Sequence, residues 1–197
     1  MIRLLTLITL LAVTSLAQAF SIDELSQQLG KPTVVRGPFI QEKHLRALPV
    51  PLTSKGNFVL AKANGLLWLL SSPVQQDYRI DARGIARRDP GGWQVLPSRG
   101  GGAEQNQLFF AVLQGDSRQL QKDFELALQG DAQHWTLQLT PRSLLLKQIF
   151  TRIDISGGEY VERIQLAETQ GDSTVLRMTN STSSSNLSAA ERADFAQ

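Results

Sequence analysis

The chain has 197 residues, 42% of them hydrophobic, with 20 Lys and Arg against 18 Asp and Glu. So even a balance leaves no basic field for nucleic acid. With no cysteine, disulfides, thiolate metal sites, cysteine nucleophiles and a lipid-modified cysteine are all excluded.

Residues 1–19 read as a signal peptide. Arg3 supplies the positive start, and Leu4 to Leu16 an apolar stretch softened by Thr6, Thr9, Thr14 and Ser15. Ala17-Gln18-Ala19 is an A-x-A cleavage signature. The apolar part is about a dozen residues, short for a bilayer span. Its removal leaves residues 20–197 as a single domain with a substantial core. The expected destination is the periplasm of a two-membrane bacterium.

Ser21 to Leu29 is predicted to be an amphipathic helix. Ser21 or Asp23 caps it, Ile22, Leu25 and Leu29 share a face, and Gly30-Lys31-Pro32 stops it. Thr33 to Leu45 is β-rich, and Gly37-Pro38 inside it predicts a bulge or an edge position. Thr53 to Ala61 and Leu66 to Leu70 are strands joined by an Asn64-Gly65 hairpin turn. Tyr78 to Ile80, Ile85 to Arg88 and Trp93 to Leu96 follow. The pair Arg87-Arg88 reads as an exposed loop or strand end. Pro97 to Gly102 is Gly-rich but has no Lys-Ser/Thr to make a phosphate cradle.

Glu104 to Leu113 is predicted helical, with Leu108, Phe109, Val112 and Leu113 on one side. Ser117 to Lys122 adds a further helical turn. Alternating strands then run through Phe124 to Leu128, Trp135 to Leu139, Ile153 to Ile155, Val161 to Leu166 and Val175 to Leu176. Turns fall at Gly130-Asp131, Gly157-Gly158 and Gly171-Asp172. This spacing predicts one large antiparallel sheet, sandwich or barrel. Asn180 to Ser188 reads as a polar loop before a short helix near Ala189 to Ala193.

Reactive chemistry is scarce. His44 and His134 fall on different predicted strands, with no partner at metal-ligand spacing. Neither a Gly-x-Ser-x-Gly elbow nor His-Glu-x-x-His is present. Asp23-Glu24 sits in a first helical turn, where acids suit the dipole. No enzyme, metal or cofactor is expected.

Several motifs carry a resemblance. Phe39-x-Gln41-x-Lys43, Gly56-x-Phe58, Leu67-Trp68 ahead of Pro73, and Ile80 with Gly84 resemble the LolA family of periplasmic outer-membrane lipoprotein carriers. Trp135-x-Leu137-x-Leu139-x-Pro141 and Asn186 to Ala190 with Phe195 are similar to that family's later segments. The resemblance implies an incomplete antiparallel β-barrel of about eleven strands, covered by lid helices. It implies a cavity for the acyl chains of a lipoprotein, taken from an inner-membrane ABC transporter and handed to an outer-membrane acceptor lipoprotein. A monomer is expected. One departure stands out: the family's arginine ahead of the tryptophan strand, which helps hold the lid closed, is missing from Leu60 to Trp68. Lys62 offers its charge without its forked geometry.

The candidate cavity residues are Phe58, Leu60, Leu66, Trp68 and Leu70 on the sheet, with Leu108, Phe109 and Val112 from the lid. Lys62 is the candidate latch. A one-residue register shift would turn each strand's set outward. Alternative readings are a carrier of another acylated lipid or envelope biosynthetic product, an interaction module with a filled core, and a hydrolase assembled around His44 or His134.

Overall fold

The computed structural model describes residues 20–97 and 111–196. The predicted signal peptide, Leu108, Phe109 and most of the predicted lid helix lie outside the described residues.

Twelve strands form one antiparallel sheet. They are β1 (Val34–His44), β2 (Leu52–Ala61), β3 (Gly65–Ser72), β4 (Gln76–Asp81), β5 (Gly84–Asp89) and β6 (Gly92–Val95), then β7 (Phe124–Gly130), β8 (Trp135–Pro141), β9 (Phe150–Gly157), β10 (Val161–Glu168), β11 (Ser173–Met178) and β12 (Thr182–Ser184). Their order is β6-β5-β4-β3-β2-β1-β11-β10-β9-β8-β7, with β12 beside β1. Neighbours in the chain pair from β1 to β6 and from β7 to β11, β8 and β9 being joined through a short helix. The long excursion through residues 96–123 instead sends the chain from one edge, β6, to the other, β7. Among the described residues no strand pairing joins those edges, and the sheet is unclosed, as expected.

The helices are α1 (Ile22–Gly30), α2 (Ser117–Asp123), α3 (Leu144–Ile149) and α4 (Ala189–Ala196). Residues 111–114 are also helical. Ser21 caps α1 in a reciprocal box: its hydroxyl accepts from Glu24 N–H while the Glu24 carboxylate accepts from Ser21 N–H.

Two expectations are corrected. Gly37-Pro38 lies in a central strand, not at an edge: β1 pairs with β2 along nearly its whole length. The other side of β1 is shared, β11 taking Phe39 to His44 and β12 taking Val34 to Arg36. Proline, which has no N–H to donate, falls at the junction between those two partners. Part of the predicted loop Asn180 to Ser188 is the short strand β12. Arg87-Arg88 lies near the end of β5, the strand-end alternative, with both side chains half-exposed and ion-paired.

Apolar side chains are buried on both faces. The larger cluster lines the inner face and unites both halves of the sheet, from Ile80 and Ile85 to Leu139 and Ile153, with Leu25, Val112 and Leu120 from the helical segments. The smaller one comprises Val34, Val59, Ala61, Leu67 and Phe195. It seals α4 against the outer face.

Candidate functional site

The alternation of β2 and β3 decides which side chains face inward. Phe58, Leu60 and Leu66 are buried in the inner cluster, and half-buried Trp68 and Leu70 pack against it. Their neighbours Val59, Leu67 and Leu69 belong to the outer cluster. The strands align Phe58 with Trp68 and Leu60 with Leu66. Trp68 stacks on Phe39 at 3.7 Å between ring centroids. Gly56, opposite Phe39 in the register, makes room for this packing: a Cβ there would lie 2.8 Å from the Phe39 ring and 2.1 Å from a backbone oxygen. Val112 reaches the same cluster from the helical side.

The helical layer over this face is fastened by neutral hydrogen bonds among the described residues. Gln28 Nε2 donates to Gly158 O at 2.6 Å and to Ala132 O at 3.1 Å. Ser26 Oγ donates to Gly115 O, and Gln114 Nε2 to Lys62 O at 3.4 Å. The Lys62 side chain is exposed and lies against the C-terminal turn of α1, where a Cβ on Gly30 would be 3.3 Å from its Nζ. A cation suits that end of the helix dipole.

Among the described residues, two small apolar cavities lie beneath this layer, each of about 20 Å³. One lies between α1 and the Trp135–Leu137 strand; the other lies between Leu29, Leu113 and the Phe58–Leu60 strand. Each has room for about one water molecule. A ligand of ordinary size occupies roughly 300–1,000 Å³.

The outer face is held differently. Arg36 forms two bonds with Glu191, at 3.0 and 3.1 Å. Buried Arg79 donates to Asp194 O at 2.8 Å and makes a charge contact with Asp81 at 3.0 Å, off the N–H axis. Arg88 contacts the Asp194 carboxylate at 2.5 Å. The Arg79 and Arg88 guanidiniums lie 5.0 and 4.5 Å from the Trp93 ring centre. Burial pushes Asp81 up, but hydrogen bonds from Arg83 outweigh it and hold the carboxyl below its ordinary range. Glu191 behaves alike: burial raises it, and the Ser188 N–H and Arg36 bring it lower overall.

The sequence reading missed this clamp. Two signals were present: the unbroken apolar run Leu66 to Leu70, which marks a strand buried on both faces, and the capping box Ser188-x-x-Glu191. Of the histidines, His44 Nε2 lies 3.9 Å from Glu42 at the end of β1. His134 is in the turn before β8 rather than on a strand, 4.0 Å from Asp131.

An unclosed antiparallel sheet, with its apolar inner face under a light helical layer, is the geometry that the motifs implied. The family described as outer membrane lipoprotein carrier protein LolA-like matches residues 14–194. The chain belongs to this LolA-like family. No match was found among curated proteins. Among solved structures, MucB in the Pseudomonas aeruginosa MucA/MucB complex is similar, with a TM-score of 0.51 and 13% identity over 86% of this chain and 58% of that one. MucB crystallised by itself gives a TM-score of 0.53 and 12% identity, over 86% and 61%. A LolA superfamily protein from Nitrosomonas europaea gives 0.48 and 9%, over 87% and 97%. The LolA-like chain thus spans about three fifths of MucB. At such identities the MucB likeness establishes the fold. The fold is of a carrier type, and no described helix is long and apolar enough to cross a membrane.

Proposed function

We propose that the protein is a periplasmic carrier that shields the acyl chains of lipoproteins against its inner face and delivers them from the inner to the outer membrane. Phe58, Leu60, Leu66, Trp68, Leu70 and Val112 are the cargo-facing residues in this reading. An inner-membrane ABC transporter is the donor and an outer-membrane acceptor lipoprotein the recipient. Residues 1–19 direct export.

The observation that carries the proposal is the contrast between the two faces. The inner helices rest on apolar contacts and neutral hydrogen bonds, each worth about 1 kcal/mol net. The outer helix is clamped by arginines. A carrier needs this asymmetry. Exposing one sixteen-carbon chain to water costs on the order of 12 kcal/mol at ~0.8 kcal/mol per methylene. The chain must therefore be covered, yet released. The described residues enclose cavities of about 20 Å³ beneath α1 and the 111–114 helical segment, and in this reading the lightly fastened layer moves to admit cargo.

Titration with a fluorescent fatty acid and with an acylated lipopeptide tests the reading. Both are expected to bind the wild-type protein. Leu70→Arg places a charge at a half-buried inner position and is expected to weaken binding by about tenfold or more. Failure of the wild type to bind either probe would sink the proposal. Fatty-acid binding without lipopeptide binding would shift the cargo to a non-protein acyl lipid.

A further inference from the structure

The sheet is split between β10 and β12. Beyond Phe39↔Met178 and Arg163↔Arg177, β11 loses both neighbours at once. The chain bulges through Thr179 to Ser181, with Asn180 at φ 51, and rejoins β1 as β12. β12 pairs with β1 alone, so its other edge faces the β9–β10 turn across a gap. That gap is an open depression of about 700 Å³, walled on one side by Glu159, Glu162 and Arg163 and on the other by Arg177, Thr179 and Asn180. Its floor is Tyr160, Met178 and Ser181.

The same three side chains also line the inner apolar cavity beside Phe58, Leu60 and Leu113. A single layer of side chains therefore separates a polar fissure on the outside from the inner face. The layer is held lightly. Tyr160 donates its hydroxyl to Glu159 at 2.8 Å. Ser181 Oγ is buried there without a hydrogen-bond partner, a polar atom that the fold itself leaves unsatisfied.

We infer that this fissure is a lateral entrance for a single-chain amphiphile, with the acyl chain passing between Tyr160, Met178 and Ser181 to the inner face and the polar head staying among the fissure's charged walls. The inference rests on the carrier reading and adds the route to it. The order of surfaces, polar of both signs outside and apolar inside, matches that ligand chemistry from head to tail. Passage needs the Tyr160 side chain to swing away from β12. It leaves the arginine clamp in place, while the lightly fastened inner layer yields to make room for the chain.

The chain has no cysteine, so a single introduced thiol can be modified cleanly. Thr179→Cys and Glu162→Cys, on opposite walls, would each be modified with a bulky maleimide, and Leu144→Cys on the 80% exposed residue of α3 serves as control. Association of cis-parinaric acid is then followed by stopped flow. Modification at either wall is expected to slow association by about tenfold, with a parallel slowing of release, and the control to be unaffected. Tyr160→Phe keeps the ring but frees it from Glu159, and is expected to speed association about fivefold. Normal rates in both wall-modified proteins would overturn the entrance while leaving the carrier reading intact. Absence of parinaric acid binding to the unmodified protein would overturn both.

Discussion

Gln28 shows how little holds the inner layer. Its single amide ties α1 to both the turn before β8 and the β9–β10 turn. Gln28→Ala is expected to cost about 1–2 kcal/mol, as two neutral hydrogen bonds of ~0.5–1.5 kcal/mol each would. Urea denaturation measures the loss, and amide exchange should quicken in α1 before anywhere else in the sheet. Lys62 is a weaker fastener. It is exposed and works through the helix dipole, so Lys62→Ala is expected to cost only about 0.3–1 kcal/mol. Arg79 is the opposite case. It is 3% exposed and is shared between Asp81, the Asp194 carbonyl and the Trp93 ring. Arg79→Ala is expected to destabilise the protein by about 3 kcal/mol or more, because it strands buried partners. A loss below 1 kcal/mol in the same denaturation series would show that the clamp is ornamental.

At the scale of elements, acid should loosen α4. The carboxyls of Asp81 and Glu191 titrate below their ordinary values of 3.8 and 4.5 in the folded state. A depressed carboxyl adds stability above its unfolded pKa and loses it as pH falls through the folded one. The outer clamp is therefore intact at neutral pH and is lost progressively as pH drops below about 4.5. Limited proteolysis by pepsin across that range is expected to release the C-terminal segment first. Release that does not vary with pH would contradict the electrostatic account.

Legibility at this scale followed local chemistry. β2 and β3 were readable because Asn64-Gly65 fixes their turn, and the alternation from Phe58 to Leu70 then sorts their faces. The position of β1 was not readable. Gly37-Pro38 is an edge signal locally, and only the arrival of β12 from nearly 150 residues away makes it a junction inside the sheet. α3 also went unseen. Leu144 and Leu145 are exposed, so the helix has no apolar periodicity to betray it; Ser143 caps it and the chain then re-enters the sheet.

At the scale of the molecule, one sheet carries two apolar faces with different attachments. The outer face is closed by α4 through Phe195 and a set of ion pairs. Among the described residues the inner face is closed by packing and a few neutral hydrogen bonds, over strands whose motifs resemble those of the LolA-like family. The inner candidates on β2 and β3 could be named from sequence because strand parity is strict. The arginine clamp could not, since its members come from four separate segments. In the proposed function, the inner face serves to cover acyl chains. Native mass spectrometry of the protein purified from the periplasm in mild detergent-free buffer tests this most directly. The account predicts a bound species carrying at least one fatty acyl chain, lost in Leu70→Arg. An unliganded protein that also fails to take up added fatty acid or lipopeptide would contradict it.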